Sequence, residues 1–310
     1  MDGKSLTNGL AALLNETISS SSFLESRVSY DYLYEAALEF VRRTRVLTAS
    51  QSITTVADQA EYDLNADYLM PYLRDKENRY IVKINDGSND YFLPFRDYES
   101  VTYANNSTSV TIPSNFSIID KSTLTDRITG TVTSTGTLSN SETSCNDTSA
   151  PFTNVKVGDE IHNTTDGSDG IVIAVTSTSA LVTALFGGTN NYWTSGDAYV
   201  IVPQGRKQLI LDPAPSTSGY TVTIMYVQKP DPVYSPYRTY RFDRQYEPAL
   251  IKYAAWLYRY RDAEPSFGDA FYKFWDAQVR MAAKTEQKSF DKPSMRVNFM
   301  KRSYSNRSYR

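Results

Sequence analysis

Between Asn105 and Val200 the chain almost loses its cations: only Lys121, Arg127 and Lys156 fall there, and Ser, Thr and Gly take over. Short β-branched runs alternate with turn signals through the same stretch. They are Ile128–Thr133, Gly158-Asp159, Asp166-Gly167, Gly170–Val175, Ala180–Leu185, Gly187-Gly188, Gly196-Asp197 and Ala198–Val202. Runs of this length, rich in Val, Ile and Thr and bounded by Gly and Asp, fit a pleated surface. The stretch therefore predicts a small all-β module, placed at residues 119–204.

The flanks read differently. Leu6, Leu10, Leu13 and Leu14 share one side of a helix over Ser5–Asn15, with Ser5 as N-cap. Ser19–Ser22 is a break. A stronger helix runs from Leu24 or Ser29 to Leu47, carrying Val28, Tyr32, Ala36, Phe40 and Val41 at three- to four-residue spacing. Arg42, Arg43 and Arg45 complement the dipole in its last turn. The period then changes to two. Ser52–Val56 and Glu61–Leu64 read as strands joined by a turn at Asp58-Gln59. Tyr80–Ile84 and Tyr91–Leu93 read as a second hairpin around Asp86-Gly87, which supplies the positive φ such a turn needs. Phe95–Tyr103 reads as a short helix.

After the module, Gln208–Leu211 and Tyr220–Val227 read as strands on either side of a Pro/Ser/Gly turn. A link with Pro230, Pro232 and Pro236 leads to two closing helices. The first starts at Asp243 or Glu247 and runs to Asp262, and Pro265 ends it. The second covers Ser266–Lys288, with Phe267, Phe271, Phe274, Gln278 and Met281 along one side. The fold expected is α+β: helical ends packed with a small antiparallel β core, interrupted by an inserted all-β module, with an extended C-terminal tail. The divisions are 1–118 and 205–289 for the two parts of the body, 119–204 for the module and 290–310 for the tail.

That tail carries Lys292, Arg296, Lys301, Arg302, Arg307 and Arg310 against Asp291 alone, with Phe299, Tyr304 and Tyr309 spaced among them. It cannot bury enough apolar surface by itself to offset its ordering entropy. Tyr and Arg anchor interfaces, so a partner can supply that surface. Phe299, Arg302, Tyr304, Arg307, Tyr309 and Arg310 are the candidate partner-binding residues; a frayed terminus is the plain alternative.

Charge follows the same division. The net charge of −3 combines nineteen Lys and Arg against ten Asp and Glu from Gly205 onward with an acidic remainder. A simple nucleic-acid binder is more often basic throughout. Tyrosine, at 24 residues, outnumbers Phe and Trp together, which suits wet interfaces as well as sheets. One cysteine, Cys145, excludes an internal disulfide. The N-terminus does not read as a signal peptide, and no apolar run approaches a membrane span.

Catalytic vocabulary is sparse. His162, the only histidine, lies in a Gly/Asp/Asn/Thr-rich stretch with no second His or nearby Cys to complete a metal set, and reads as a surface residue. Cys145 has no recognisable neighbouring base. Asp166 and Asp169 can share a hard cation, but do not match the twelve-residue calcium loop, and turn chemistry accounts for them. No Walker-type loop or dinucleotide fingerprint is present. The expectation is a protein that is not an enzyme, with no catalytic residue, cofactor or metal.

Several blocks together resemble the head-to-tail adaptor (connector) proteins of tailed bacteriophages. They are Tyr32–Phe40, Thr48–Leu64 with Ala66–Tyr68, Ile112–Phe116, Leu209–Pro215, Val222–Pro230 and Tyr246–Tyr258. Their order and spacing carry the resemblance, which covers most of residues 24–118 and 205–290. Val157–Ile161, Asn163–Gly170 and Trp193–Tyr199 look like segments recurring in phage virion proteins. The resemblance implies a structural virion protein at the neck, assembled in the host cytoplasm. It implies a homo-oligomeric ring, usually dodecameric, that joins portal to tail and extends the DNA channel. The partners implied are the portal protein, tail or fibre proteins, and genomic DNA passing without sequence specificity; no membrane is involved. The C-terminal tail docks on the portal in that reading. The alternative is a tail-fibre or carbohydrate-binding adhesin, argued from the Ser/Thr-rich module.

Overall fold

The computed structural model describes residues 1–19, 24–72, 82–97, 109–121, 127–261 and 265–288. Among them the fold is mixed α+β: four α-helices and antiparallel strands arranged in three sheets.

Helix α1, Gly3–Leu14, starts three residues earlier than its leucine pattern suggests, because Asp2 and not Ser5 caps it. The Asp2 carboxylate accepts from the Ser5 backbone N–H at 2.7 Å. The Ser5 hydroxyl instead donates to Glu247 at 2.6 Å. Helix α2 spans Ser26–Thr44 and ends at Arg45, whose φ of 57° is left-handed. Helices α3, Glu247–Arg261, and α4, Pro265–Lys288, follow at the other end of the chain. The four pack into one apolar core holding Leu6, Leu10, Leu33, Phe40, Leu250, Tyr258 and Trp275. Chain ends more than 200 residues apart thus share a single layer.

The expected side of α4 is rotated. Trp275, Val279 and Ala282 are buried, whereas Phe274 and Met281 are exposed. Trp275 decides the rotation: its indole packs against Tyr253 and Tyr272, and the Arg43 guanidinium lies 4.6 Å from its ring centre.

Strands β1, Thr48–Thr54, and β2, Glu61–Asp63, do not form the expected hairpin. β1 pairs with β15, Thr221–Gln228, and β2 pairs with β14, Arg206–Asp212. Their apolar sides face each other across two stacked sheets. Burying Ile53 and Tyr62 from opposite layers outweighs local pairing. The Gln51 side chain spans the rim between them: its amide donates to the Asp63 carbonyl at 3.0 Å and accepts from the Asn65 N–H at 2.9 Å. β14 and β15 likewise part company, although the sequence places them on either side of one turn.

The larger body sheet has the order β1-β15-β4-β5, with β3, Tyr68–Pro71, also against β15; β4 is Val82–Asn85 and β5 is Asp90–Phe92. The Asp86-Gly87 turn forms, with Gly87 at φ 98° and the Asp86 carboxylate accepting from the Ser88 and Asn89 N–H groups. Phe95 bridges to Phe116 as extended chain, and residues 95–97 are not helical; the rest of the expected Phe95–Tyr103 helix lies outside the described residues. The smaller sheet is β2-β14-β6, where β6 is Asn115–Lys121. Ile119–Lys121, which opens the expected module, therefore pairs with Arg206–Gln208 in the body.

The third sheet has seven strands in the order β7-β13-β10-β11-β12-β9-β8. These are β7 (Ile128–Thr131), β8 (Leu138–Ser139), β9 (Glu142–Asn146), β10 (Glu160–Asn163), β11 (Ser168–Ser177), β12 (Ala180–Phe186) and β13 (Ala198–Val202). They enclose their own core around Phe152, Ile161, Val172, Leu181, Trp193 and Tyr199. The Trp193 indole N–H donates to the Thr183 hydroxyl at 2.9 Å, so its one polar atom is satisfied inside.

Candidate interaction surfaces

The seven-stranded sheet is buried on two faces along part of β11. Val172 points into its own core, while Ile171 and Ile173 point out and are equally buried. They meet Tyr30 of α2, Tyr234 and Ala184, with Tyr34 and Phe186 packed beside them. Tyr30, Tyr34 and Phe186 surround the Tyr234 ring at centroid distances of 6.0 to 6.5 Å. An unbroken apolar run such as Ile171-Val-Ile173 is the mark of a strand covered on both sides. It is the one sequence signal that points to this contact.

Polar groups complete the seam. The Tyr234 hydroxyl donates to Asp31 at 2.8 Å. Burial raises the Asp31 carboxyl above its ordinary range despite the pull of Tyr234 and Arg27, and drives the Tyr234 phenol far upward. Burial pushes Tyr30 and Tyr34 up to about 12. At the root of the sheet Arg206 donates to Asp159 at 2.9 Å, an ion pair almost closed to solvent. Asp159 also accepts from the Lys156 and Gln204 N–H groups, so its charge is fully engaged.

A cleft of about 880 Å³ opens along the same seam, lined by Tyr34, Asp67, Lys156, Gln228, Lys229 and Arg241 among others. Burial lowers the Lys229 ammonium from its ordinary value. The carboxylates nearest in effect are committed elsewhere: Asp67 accepts from Tyr226 and Gln228, and Asp159 is held as above.

The residues weighed for chemistry stand apart. His162 Nδ1 lies 2.5 Å from the Asp169 carboxylate and its Nε2 lies 4.0 Å from Glu160. Ser168, the adjacent hydroxyl, points to the opposite face of the strand and is buried. Asp166 turns away from Asp169 to accept from Asn163 and Asn190. Cys145 is fully buried, and burial drives its thiol well above the ordinary range. Among the described residues no group of three or more His, Cys, Asp or Glu is arranged to hold a metal ion. None of their helices is long and apolar enough to cross a membrane.

Phe299, Arg302, Tyr304, Arg307, Tyr309 and Arg310 lie outside the described residues. Part of the tyrosine excess has an internal use: among the described residues Tyr30, Tyr62, Tyr68, Tyr199, Tyr226, Tyr234, Tyr240, Tyr246, Tyr253 and Tyr258 are buried. No family model matches the chain, and no curated protein does either.

Proposed function

We propose that this chain is a non-enzymatic structural protein of a phage neck. Copies of it form a ring, of twelve in the fullest form of the reading, that joins the portal to the tail and continues the DNA channel. One observation supports the reading above the rest. The blocks that carry the resemblance to head-to-tail adaptors are scattered over more than 200 residues, yet they assemble into one body. Tyr32–Phe40 lies in α2 against α3, with Phe40 and Tyr246 rings 4.9 Å apart. Thr48–Thr54 runs beside Thr221–Val227, and Phe116 lies opposite Leu211. The residues of 128–202, which depart from the smaller adaptors, form a sheet of their own beside that body.

In this reading the seven-stranded sheet faces tail or fibre proteins, and the 290–310 tail docks on the portal through Phe299, Tyr304 and Tyr309. Arg302, Arg307 and Arg310 pair there with acidic groups. The test is mass photometry of the full chain with and without purified portal. A closed assembly of many copies on the portal is the expected result; a single copy per portal assembly would overturn the reading.

A further inference from the structure

The two outer strands of the larger body sheet, β1 and β5, have one free side each among the described residues. β1 pairs only with β15, and β5 only with β4. Free strand edges join other strands unless charge, proline or a bulge blocks them. β1 has none of these protections. It reads Thr-Ala-Ser-Gln-Ser-Ile-Thr and keeps an unshifted register over all seven residues. β5 is exposed at every position, and its Phe92 is 69 % exposed.

Strand direction alternates across β1-β15-β4-β5, so the two edges run in opposite senses. A second copy set beside the first in the same orientation brings its β5 antiparallel to β1. Side-chain faces also agree. Ile53, Val222, Ile84 and Tyr91 form one cross-strand row on the side facing the smaller sheet. Ser52, Thr223, Lys83 and Phe92 form the row on the other side. Tyr91 of an incoming β5 therefore arrives on the side of β1 where Ile53 points. There a groove of about 680 Å³ lies between β1 and β2, lined by Gln51, Ile53, Glu61, Tyr62 and Asp63. Tyr91 is partly exposed, tethered by a 3.2 Å bond from its hydroxyl to Asp86 of its own turn.

We propose that copies of this chain join edge to edge, β5 of one antiparallel to β1 of the next, with Tyr91 opposite Ile53 and its ring in that groove. Phe92 then lies opposite Ser52. An aromatic ring against a β-branched residue is a favourable cross-strand pair. The contact is heterologous, so it propagates from copy to copy and builds a ring where the rotation between copies closes, an open filament where it does not. This rests on the ring reading above and names the surfaces that would build it.

The experiment uses the full-length double variant Ser52→Cys/Phe92→Cys under mild oxidation, with and without portal, beside each single variant. The expected result is a reducible ladder of dimer, trimer and higher species from the double variant, and at most dimers from either single one. Multi-copy assemblies by native mass spectrometry without a ladder would overturn the pairing and leave the ring. A chain that stays single and gives no ladder, with or without portal, would sink both. A ladder without any assembly on portal would support the pairing and overturn the portal reading. A second variant, Ser52→Lys, places a charge on the exposed edge. It should abolish assembly while the melting temperature stays that of the parent chain; unchanged assembly would also overturn the pairing.

Discussion

Arg238 holds Glu142 through two guanidinium nitrogens, Nε to Oε1 at 2.9 Å and Nη2 to Oε2 at 3.1 Å. The hydroxyl of Ser235 donates to the same carboxylate at 2.5 Å. Glu142 opens β9 of the seven-stranded sheet, and Arg238 lies in the link before α3. The pair thus fastens the sheet to the body in addition to the apolar contact of Ile171 and Ile173 with Tyr30 and Tyr234.

Replacing Glu142 by Ala should lower stability by about 1–2 kcal/mol. That is the low end for a charge-assisted pair, because the Arg238 side chain is 38 % exposed and solvent screens it. A double-mutant cycle with Arg238→Ala by urea unfolding measures the coupling. Additive losses would mean that the pair carries no mutual energy.

The same carboxylate predicts an acid response. Burial pushes the Glu142 carboxyl up, but the bonds from Arg238 and Ser235 outweigh it and hold it below the ordinary glutamate value. A depressed carboxyl contributes stability that is present above its unfolded value and is lost as pH falls through the folded one. The melting-temperature gap between the parent chain and Glu142→Gln should be widest near neutral pH and close below the ordinary carboxylate range. Asp31 has the opposite sign. Its raised carboxyl costs stability at neutral pH and relieves that cost as pH falls. Asp31→Asn should therefore cost less at pH 7 than Glu142→Gln.

Deleting the module tests where it ends. Removing 119–204 takes three of the seven residues of β6 from the body, since Ile119–Lys121 pair with Arg206–Gln208. Removing 127–203 spares that ladder. Both deletions uncover Tyr30 and Tyr234, at a cost on the order of 2–4 kcal/mol in lost burial. The shorter deletion should melt cooperatively at a reduced temperature, and the longer one lower still. Equal melting curves by circular dichroism would contradict the assignment of β6 to the body.

Trp275 locks α4 onto α2 and α3. Trp275→Ala should cost roughly 3–5 kcal/mol as a large cavity. Its indole N–H is buried without a hydrogen-bond partner among the described residues. Trp275→Phe removes that polar atom along with part of the ring, and should recover more than half of the loss in thermal denaturation.

Truncation after Lys288 addresses the basic aromatic tail. In the docking reading, portal binding falls on truncation, and the intact chain's binding persists at high salt because the aromatic residues anchor it. Coupled ordering of such a segment costs roughly 2–5 kcal/mol, which those anchors must exceed. Direct DNA contact would instead give a steep log-linear loss with salt. Undiminished portal binding by the truncated chain would refute docking.

Periodicity alone determined the mixed α+β character: the 3.6-residue spacing at both ends and the β-branched runs between turn residues locate all four described helices and most strands within a few residues. Those are local properties of the backbone and of alternating side chains. Partner choice was not local. β1 and β2 look like a hairpin, but Ile53 and Tyr62 bury more surface in opposing layers than in one ribbon. α4 looks apolar along Phe274 and Met281, but Trp275 gains more by turning inward. Tyr30 and Tyr234, 204 residues apart in sequence, meet because Ile171 and Ile173 need cover on the outer face of their own sheet. Only the tertiary structure could decide these, since each compares burial among segments distant along the chain.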